Sequence, residues 1–201
     1  MKKIGILGGS FDPFHNGHLK LATGALVEFG LDFVFLMPAK KNPFKQGQKI
    51  SSDEDRLNML KLVCKNRPFL CLLDKEIKED ENVSYTYDTM SELLNDFEDC
   101  KLYFILGLDS FLKLENWYKG PELLEMVSFI VSVRPGSDNS KLDSTIERFK
   151  KIYGTDILVI EDSMPDISST EIRKKVKEGS SINGLVPDEI ERYILQHEIY
   201  L

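Results

Sequence analysis

A doubly wound α/β fold, with a mostly parallel sheet and helices on both faces, is what this sequence predicts. Two observations carry that expectation. Six short apolar runs, at residues 4–7, 33–37, 69–73, 102–106, 129–133 and 157–160, alternate with stretches whose apolar residues recur at helical spacing, the pattern of successive βα units. The first of these runs also opens into a glycine-rich turn that leads straight into a helix-spaced stretch. Folds of this kind gather their ligand sites beyond the C-terminal ends of the strands.

The elements follow in order. Ile4-Gly5-Ile6-Leu7 reads as the first strand, and Leu19, Ala22, Leu26 and Phe29 mark the inner face of the first helix. Phe33 to Met37 is a second strand, ended by Pro38. Residues 39–52 make a long polar loop with Lys40, Lys41, Lys45 and Lys49, and no acidic residue falls between Asp32 and Asp53. Ser52 caps the next helix, with Asp55 three residues on in a variant of the capping box. Leu57, Leu60, Val63 and Cys64 mark that helix's inner face. Phe69 to Leu73 is a third strand, and the charged stretch 75–82 is expected to be exposed. Ser84-Tyr85-Thr86-Tyr87 opens a helix that turns Met90, Leu93, Leu94 and Phe97 inward. Leu102 to Leu106 is the fourth strand, running into Gly107-Leu108-Asp109-Ser110 and then Trp117, the only tryptophan. Phe129 to Val133 is the fifth, ending in Arg134-Pro135-Gly136. Ile146, Phe149 and Tyr153 define a helix before the sixth strand, Ile157 to Ile160. Ile167-Ser168-Ser169-Thr170-Glu171-Ile172-Arg173 is a hydroxyl-rich helix start. Pro187 opens the last helix, with Ile190, Tyr193 and Ile194 on its apolar side.

Bulk composition excludes more than it identifies. A length of 201 residues suits one unit over 1–201, with 168–201 as a helical C-terminal part. The net charge of −7 argues against a broad nucleic-acid surface, which needs a basic patch. Cys64, Cys71 and Cys100 are scattered without metal-type spacing and read as buried small hydrophobes in a reducing, cytoplasmic setting. The sequence shows no secretory leader and no run apolar enough to span a membrane. It is compatible with a homo-oligomer but does not require one.

The chemistry concentrates in Gly8-Gly9-Ser10-Phe11-Asp12-Pro13-Phe14-His15-Asn16-Gly17-His18, a strand-to-helix turn holding two of the chain's three histidines. A helix start offers free backbone N–H groups and the positive end of the helix dipole, so its natural ligand is an anion, above all a polyphosphate. Glycines at 8 and 9 let the backbone approach that ligand, and the imidazoles add donors. A structural turn with two surface histidines accounts for the glycines but not for the paired histidines.

This stretch resembles the signature of the nucleotidyltransferases with a His-x-Gly-His motif, and within them is most similar to the nicotinate-nucleotide adenylyltransferases. The likeness runs over nearly the whole chain in ordered blocks: Gly8 to Leu19, Ser84 to Met90, Gly107 to Tyr118, Val133 to Gly136 and Ile167 to Arg173. It implies a Rossmann-like nucleotidyltransferase fold and transfer of AMP from ATP to nicotinate mononucleotide, with magnesium carried by the ATP and pyrophosphate oxygens. It implies His18, His15 and Arg173 as catalytic residues. ATP would meet Gly8, Gly9, Ser10, Phe11, His15, His18, Lys45, Ser168, Ser169, Thr170 and Arg173. The mononucleotide would meet Tyr85, Thr86, Asp109, Trp117 and Arg134. Each has a plainer reading beside it: Ser169-Thr170 as a helix cap, Trp117 as core, Asp109 and Arg134 as surface ion-pair partners. One departure stands out. Many bacterial relatives carry Pro-Pro-His-Lys after the second strand, where this chain has Asn42-Pro43-Phe44-Lys45, so Phe44 holds a position expected to be histidine.

Four rivals remain open at this stage: a preference for nicotinamide mononucleotide, a phosphopantetheine adenylyltransferase, a binding or regulatory protein that kept the fold and lost activity, and an NAD-binding oxidoreductase. The last is disfavoured because Gly5, Gly8 and Gly9 do not spell Gly-x-Gly-x-x-Gly and Pro38-Ala39-Lys40 supplies no acidic ribose ligand.

Overall fold

The structure, a computed structural model, describes residues 1–40, 51–78, 84–133, 139–161 and 167–201. Strand β1 (Lys2–Gly9) leads to helix α1 (Asn16–Phe29), and β2 (Phe33–Pro38) to α2 (Asp53–Lys65). Strand β3 (Leu70–Leu72) is followed by a single turn, α3 (Lys75–Lys78), and by α4 (Thr86–Asp96). Beyond β4 (Cys100–Gly107) come α5 (Leu108–Phe111), a 3₁₀ turn at Leu114–Asn116 and α6 (Gly120–Met126). The chain continues through β5 (Ser128–Val133), α7 (Leu142–Tyr153), β6 (Ile157–Glu161), α8 (Ser169–Lys177) and α9 (Asp188–Gln196).

Local chemistry explains most boundaries. Ser52 caps α2 by accepting the Asp55 N–H at 3.0 Å, which satisfies one of the donors a helix start leaves orphaned. Three acids fill the first turn of α2 and Lys65 closes its last, matching the helix dipole. Helix α1 ends at Gly30, whose φ of 61° lies in the left-handed region that residues with a Cβ avoid.

The strands lie side by side in the order β3-β2-β1-β4-β5-β6, and every pairing is parallel. Alternation along the strands sorts the apolar residues into two layers. On one face Leu7, Val34, Leu36, Ile105 and Ile130 pack under Ala22 and Ala25 of α1, Met59 and Leu60 of α2, Ile172 of α8 and Ile190 of α9. On the other, Ile4, Ile6, Phe104, Phe129 and Val131 pack under Met90 of α4, Phe111 of α5, Leu123 of α6 and Phe149 of α7. A parallel sheet covered on both sides reads as continuous apolar runs, as these strands do. The chain winds outward in both directions from the β1–β4 pair, so the crevice beyond Gly9 and Gly107 is the point where such sheets bind ligands.

Two expectations are corrected. Glu76 and Ile77, within the charged stretch expected to be exposed, are buried at 4% and 8% exposure. The Glu76 carboxylate accepts hydrogen bonds from Ser84 Oγ at 3.0 Å and Thr89 Oγ1 at 3.2 Å, which is how a buried charge is tolerated. The three cysteines are half-buried and unpaired rather than fully buried. Burial still pushes the Cys64 thiol up to about 11. Residues 79–82 of that charged stretch lie outside the described residues.

Candidate active site

The loop from Ser10 to His15 leaves β1 at the crevice and is fixed from below. Phe11 and Phe14 are buried at 1% and 0% exposure, beside Ala22 and Ile172 in the first core layer. Burying a side chain of this size contributes roughly 1.5–3 kcal/mol, so the loop is anchored by apolar weight rather than by its polar atoms. That anchoring offsets a local cost: Phe11 has a φ of 48°, the left-handed region, which is disfavoured for a bulky residue.

Above this floor sit the histidines. His15 is the N-cap of α1, and its Nδ1 accepts the His18 N–H at 3.3 Å, while His18 Nδ1 accepts the His15 N–H at 3.2 Å. The pair forms a capping box made of two imidazoles, with rings stacked at 3.6 Å between centroids and 19° between planes. With Nδ1 accepting, a neutral ring must carry its proton on Nε2. Both tautomers are thereby set, and both rings direct an Nε2–H donor. Gly17 allows the stack: a Cβ at that position would stand 3.0 Å from His15 Nδ1.

Helix α8 is brought against the same loop from the far end of the chain. Ser168 is its N-cap and accepts the Glu171 N–H at 3.1 Å. Ser169 Oγ donates to the Pro13 carbonyl at 3.0 Å. Arg173 donates from Nη1 to the Asp12 carbonyl at 2.6 Å and from Nη2 to Thr170 Oγ1 at 3.3 Å, with Nη1 3.6 Å from Asp12 Oδ2. The loop and the hydroxyl-rich motif therefore share one place, and the capping role falls on Ser168.

Around the other side of the crevice stand the aromatic residues. Trp117 is half-buried, edge-on to Phe104 at 6.3 Å, and a Cβ on Gly8 would meet the same Phe104 ring at 3.1 Å. The indole thus borders the second core layer. Tyr85 caps α4 without a side-chain hydrogen bond, and its ring lies 4.3 Å from that of Tyr118. Thr86 begins α4, and Asp109 is exposed in α5 just past β4. Gly8 and Gly9 end β1, and Ser10 follows with its hydroxyl buried. Lys45 and Arg134, and Phe44 with them, lie outside the described residues.

Arg56, Ser51 and Tyr200 were not legible in the sequence as parts of this region, nor was the part Asp12 plays in holding them. Arg56 is 1% exposed and donates to the carbonyls of Ser10 at 2.8 Å and Ala39 at 2.7 Å, tying the loop after β1 to the one after β2. Asp12 is 2% exposed. Its Oδ1 accepts from Ser51 Oγ at 2.6 Å, the Ser51 N–H at 3.2 Å and the Tyr200 hydroxyl at 2.6 Å.

Residues 6–175 match the pattern of the cytidylyltransferase-like family. The chain is 37% identical over 200 residues to a nicotinate-nucleotide adenylyltransferase of Bacillus subtilis, covering 100% of this chain and 99% of that one. The chain belongs to the nicotinate-nucleotide adenylyltransferase family. A probable nicotinate-nucleotide adenylyltransferase of Thermoanaerobacter is 37% identical over 199 residues, 98% of this chain and 94% of its own length. Among solved structures, the nicotinic acid mononucleotide adenylyltransferase of Plasmodium falciparum complexed with NaAD superposes with a TM-score of 0.79 at 21% identity, over 100% of this chain and 98% of that one. The fold is thus that of the family's adenylyltransferases, and the signature loop of this chain stands at its crevice. No helix of the described residues is long and apolar enough to cross a membrane.

Proposed function

We propose that this chain transfers AMP from ATP to nicotinate mononucleotide, giving deamido-NAD and pyrophosphate. The observation that carries the reading is the pair of stacked histidines at the start of α1, with α8 held against the same loop by Arg173. Full-length relatives that bear the name of this activity support the choice of substrates.

The reaction asks little covalent help. A 5′-phosphate oxygen of the mononucleotide attacks the α-phosphorus of ATP in line. The new P–O bond forms as the bond to the β-phosphate oxygen breaks, and that electron pair leaves with pyrophosphate. Catalysis is then positioning and charge neutralisation. The Nε2–H donors of His18 and His15 serve the α-phosphate and the bridging oxygen. Gly8, Gly9, Ser10 and Phe11 line the nucleotide. Ser168, Ser169 and Thr170 receive the β- and γ-phosphates at the α8 start, and Arg173 adds charge. Trp117 stacks on the pyridine ring, the α4 start at Tyr85 and Thr86 meets its carboxylate, and Asp109 takes a ribose hydroxyl. Lys45 and Arg134 complete the phosphate contacts in this reading.

Magnesium enters as part of the ATP, on oxygens of the kind it prefers. The buried carboxylate of the loop supports this, because Asp12 Oδ1 already accepts three hydrogen bonds and Oδ2 faces Arg173. In the same reading the whole chain is one nucleotidyltransferase unit working in the cytoplasm, a setting that suits its free cysteines. All the groups named come from one copy. The test is pyrophosphate release from ATP with nicotinate mononucleotide, nicotinamide mononucleotide or phosphopantetheine as acceptor. Release confined to an acceptor other than the first would overturn the assignment.

A further inference from the structure

We propose that Tyr200 is a positioning residue of the transfer site, its hydroxyl holding the Asp12 carboxylate so that the signature loop and Arg173 keep the geometry that receives polyphosphate. The proposal rests on the nucleotidyl-transfer reading above and names a residue that reading did not use.

An aspartate inside an anion-binding loop poses an electrostatic problem. Its charge opposes the ligand unless donors on the other side hold it. Here Asp12 is buried at 2% exposure, and its Oδ1 accepts from Tyr200 and from both the hydroxyl and the N–H of Ser51. Its backbone carbonyl accepts from Arg173 Nη1 at 2.6 Å while Oδ2 lies 3.6 Å from the same nitrogen. Asp12 therefore links Tyr200 to the one arginine aimed at the loop from α8. With Tyr200 removed, less donation reaches the carboxylate, and Arg173 is drawn further toward it and away from substrate oxygens. Outer partners that orient a working group commonly matter as much as this.

The backbone after α9 is shaped for the contact. Glu198 and Tyr200 have φ values of 52° and 70°, the left-handed region that residues with a Cβ avoid, and the Ile199 N–H closes the turn on the Ile194 carbonyl at 3.1 Å. Such conformations persist where the surroundings fix them. The Tyr200 ring packs against the first core layer, while the Tyr193 hydroxyl of α9 donates to Asp55 of α2 at 3.1 Å. Burial, with Asp12 second, pushes the phenol above its ordinary range, so it remains a donor at physiological pH.

Tyr200→Phe isolates the hydroxyl, because the ring and its packing are kept. It is compared with wild type, Asp12→Asn and the double variant. The expected result is a fall in kcat/KM for ATP of roughly tenfold or more. The KM for nicotinate mononucleotide and the thermal midpoint should stay near wild type. The loss should be largely absent when Tyr200→Phe is added to Asp12→Asn, since the two act through one bond. A variant as active as wild type, a loss matched by a lower thermal midpoint, or losses that multiply in the double variant would each overturn the proposal. Calorimetric binding of α,β-methylene-ATP is measured beside it. If wild type transfers no AMP to nicotinate mononucleotide, the functional reading falls, and the proposal is then judged on binding alone: weaker affinity in Tyr200→Phe upholds it and equal affinity overturns it.

Discussion

His15 and His18 cap each other's backbone through Nδ1, and this decides which nitrogen of a neutral ring carries the proton. His18→Ala removes one such donor. Turnover should fall by about 10²–10³, the usual effect of deleting a preorganised donor to developing charge, while circular dichroism stays that of the folded protein. Near wild-type turnover would remove His18 from the chemistry. Gly17→Ala separates stability from geometry. Alanine in place of glycine favours a helix by up to ~1 kcal/mol, yet the new Cβ would press on His15 Nδ1 from 3.0 Å. The variant should melt no lower than wild type and turn over more slowly; a stable and fully active protein would show that the stack has no part in catalysis. The paired histidines were legible because their chemistry is local, written into adjacent residues of one turn. Asp12's partners were not, because Ser51 and Tyr200 lie 39 and 188 residues away and no spacing rule links them. Arg56 was hidden for a related reason. Helical spacing pointed to Leu57 on the inner face of α2, whereas the helix buries Arg56, whose charge is paired with Asp53 of the same helix and whose remaining donors reach carbonyls of two distant loops.

At the scale of elements, the six strands and the longer helices were legible because an apolar run or a 3.6-residue period repeats often enough to be read. Helices α3 and α5 span four residues each, too few for any period, and α5 begins directly at the end of β4, where only a strand end could be read. The segment between β4 and α6 is held by side chains instead. Glu115 accepts from Arg148 Nη1 at 2.6 Å and from the Tyr153 hydroxyl at 2.9 Å, fastening the turn before Trp117 to α7. The Arg148 guanidinium holds the Glu115 carboxyl below its ordinary value of 4.5. A depressed carboxyl contributes stability that is present above that value and lost as pH falls through the lower, folded one. Glu115→Gln should thus cost roughly 0.5 kcal/mol at neutral pH, the scale of a partly exposed ion pair, and the cost should vanish in acid. Denaturant midpoints at pH 7 and pH 3 check this; a cost that grows in acid would reverse the sign of the argument. On the same segment, Trp117→Ala should raise the KM for nicotinate mononucleotide more than that for ATP, by the ~1–3 kcal/mol typical of base stacking. Equal changes in both constants, or an unfolded protein, would return the indole to the core.

For the whole molecule, the parallel sheet with its reversal between β1 and β4 brings the two ends of the chain to one crevice. Strand β1 delivers the histidine loop there, α8 delivers Arg173, and the turn after α9 returns Tyr200 to Asp12. Such an assembly positions two phosphate-bearing substrates and needs no nucleophile of its own. In the proposed reading the α4 start meets the mononucleotide, and its N–H donors would bind a carboxylate more strongly than an amide. The most direct measurement is therefore pyrophosphate release from magnesium–ATP, followed with nicotinate mononucleotide, with nicotinamide mononucleotide and with no acceptor. The account predicts release that depends on the acceptor, a larger kcat/KM for the acid than for the amide, and deamido-NAD formed one for one with pyrophosphate. Release that ignores the acceptor, or that favours the amide, would contradict it.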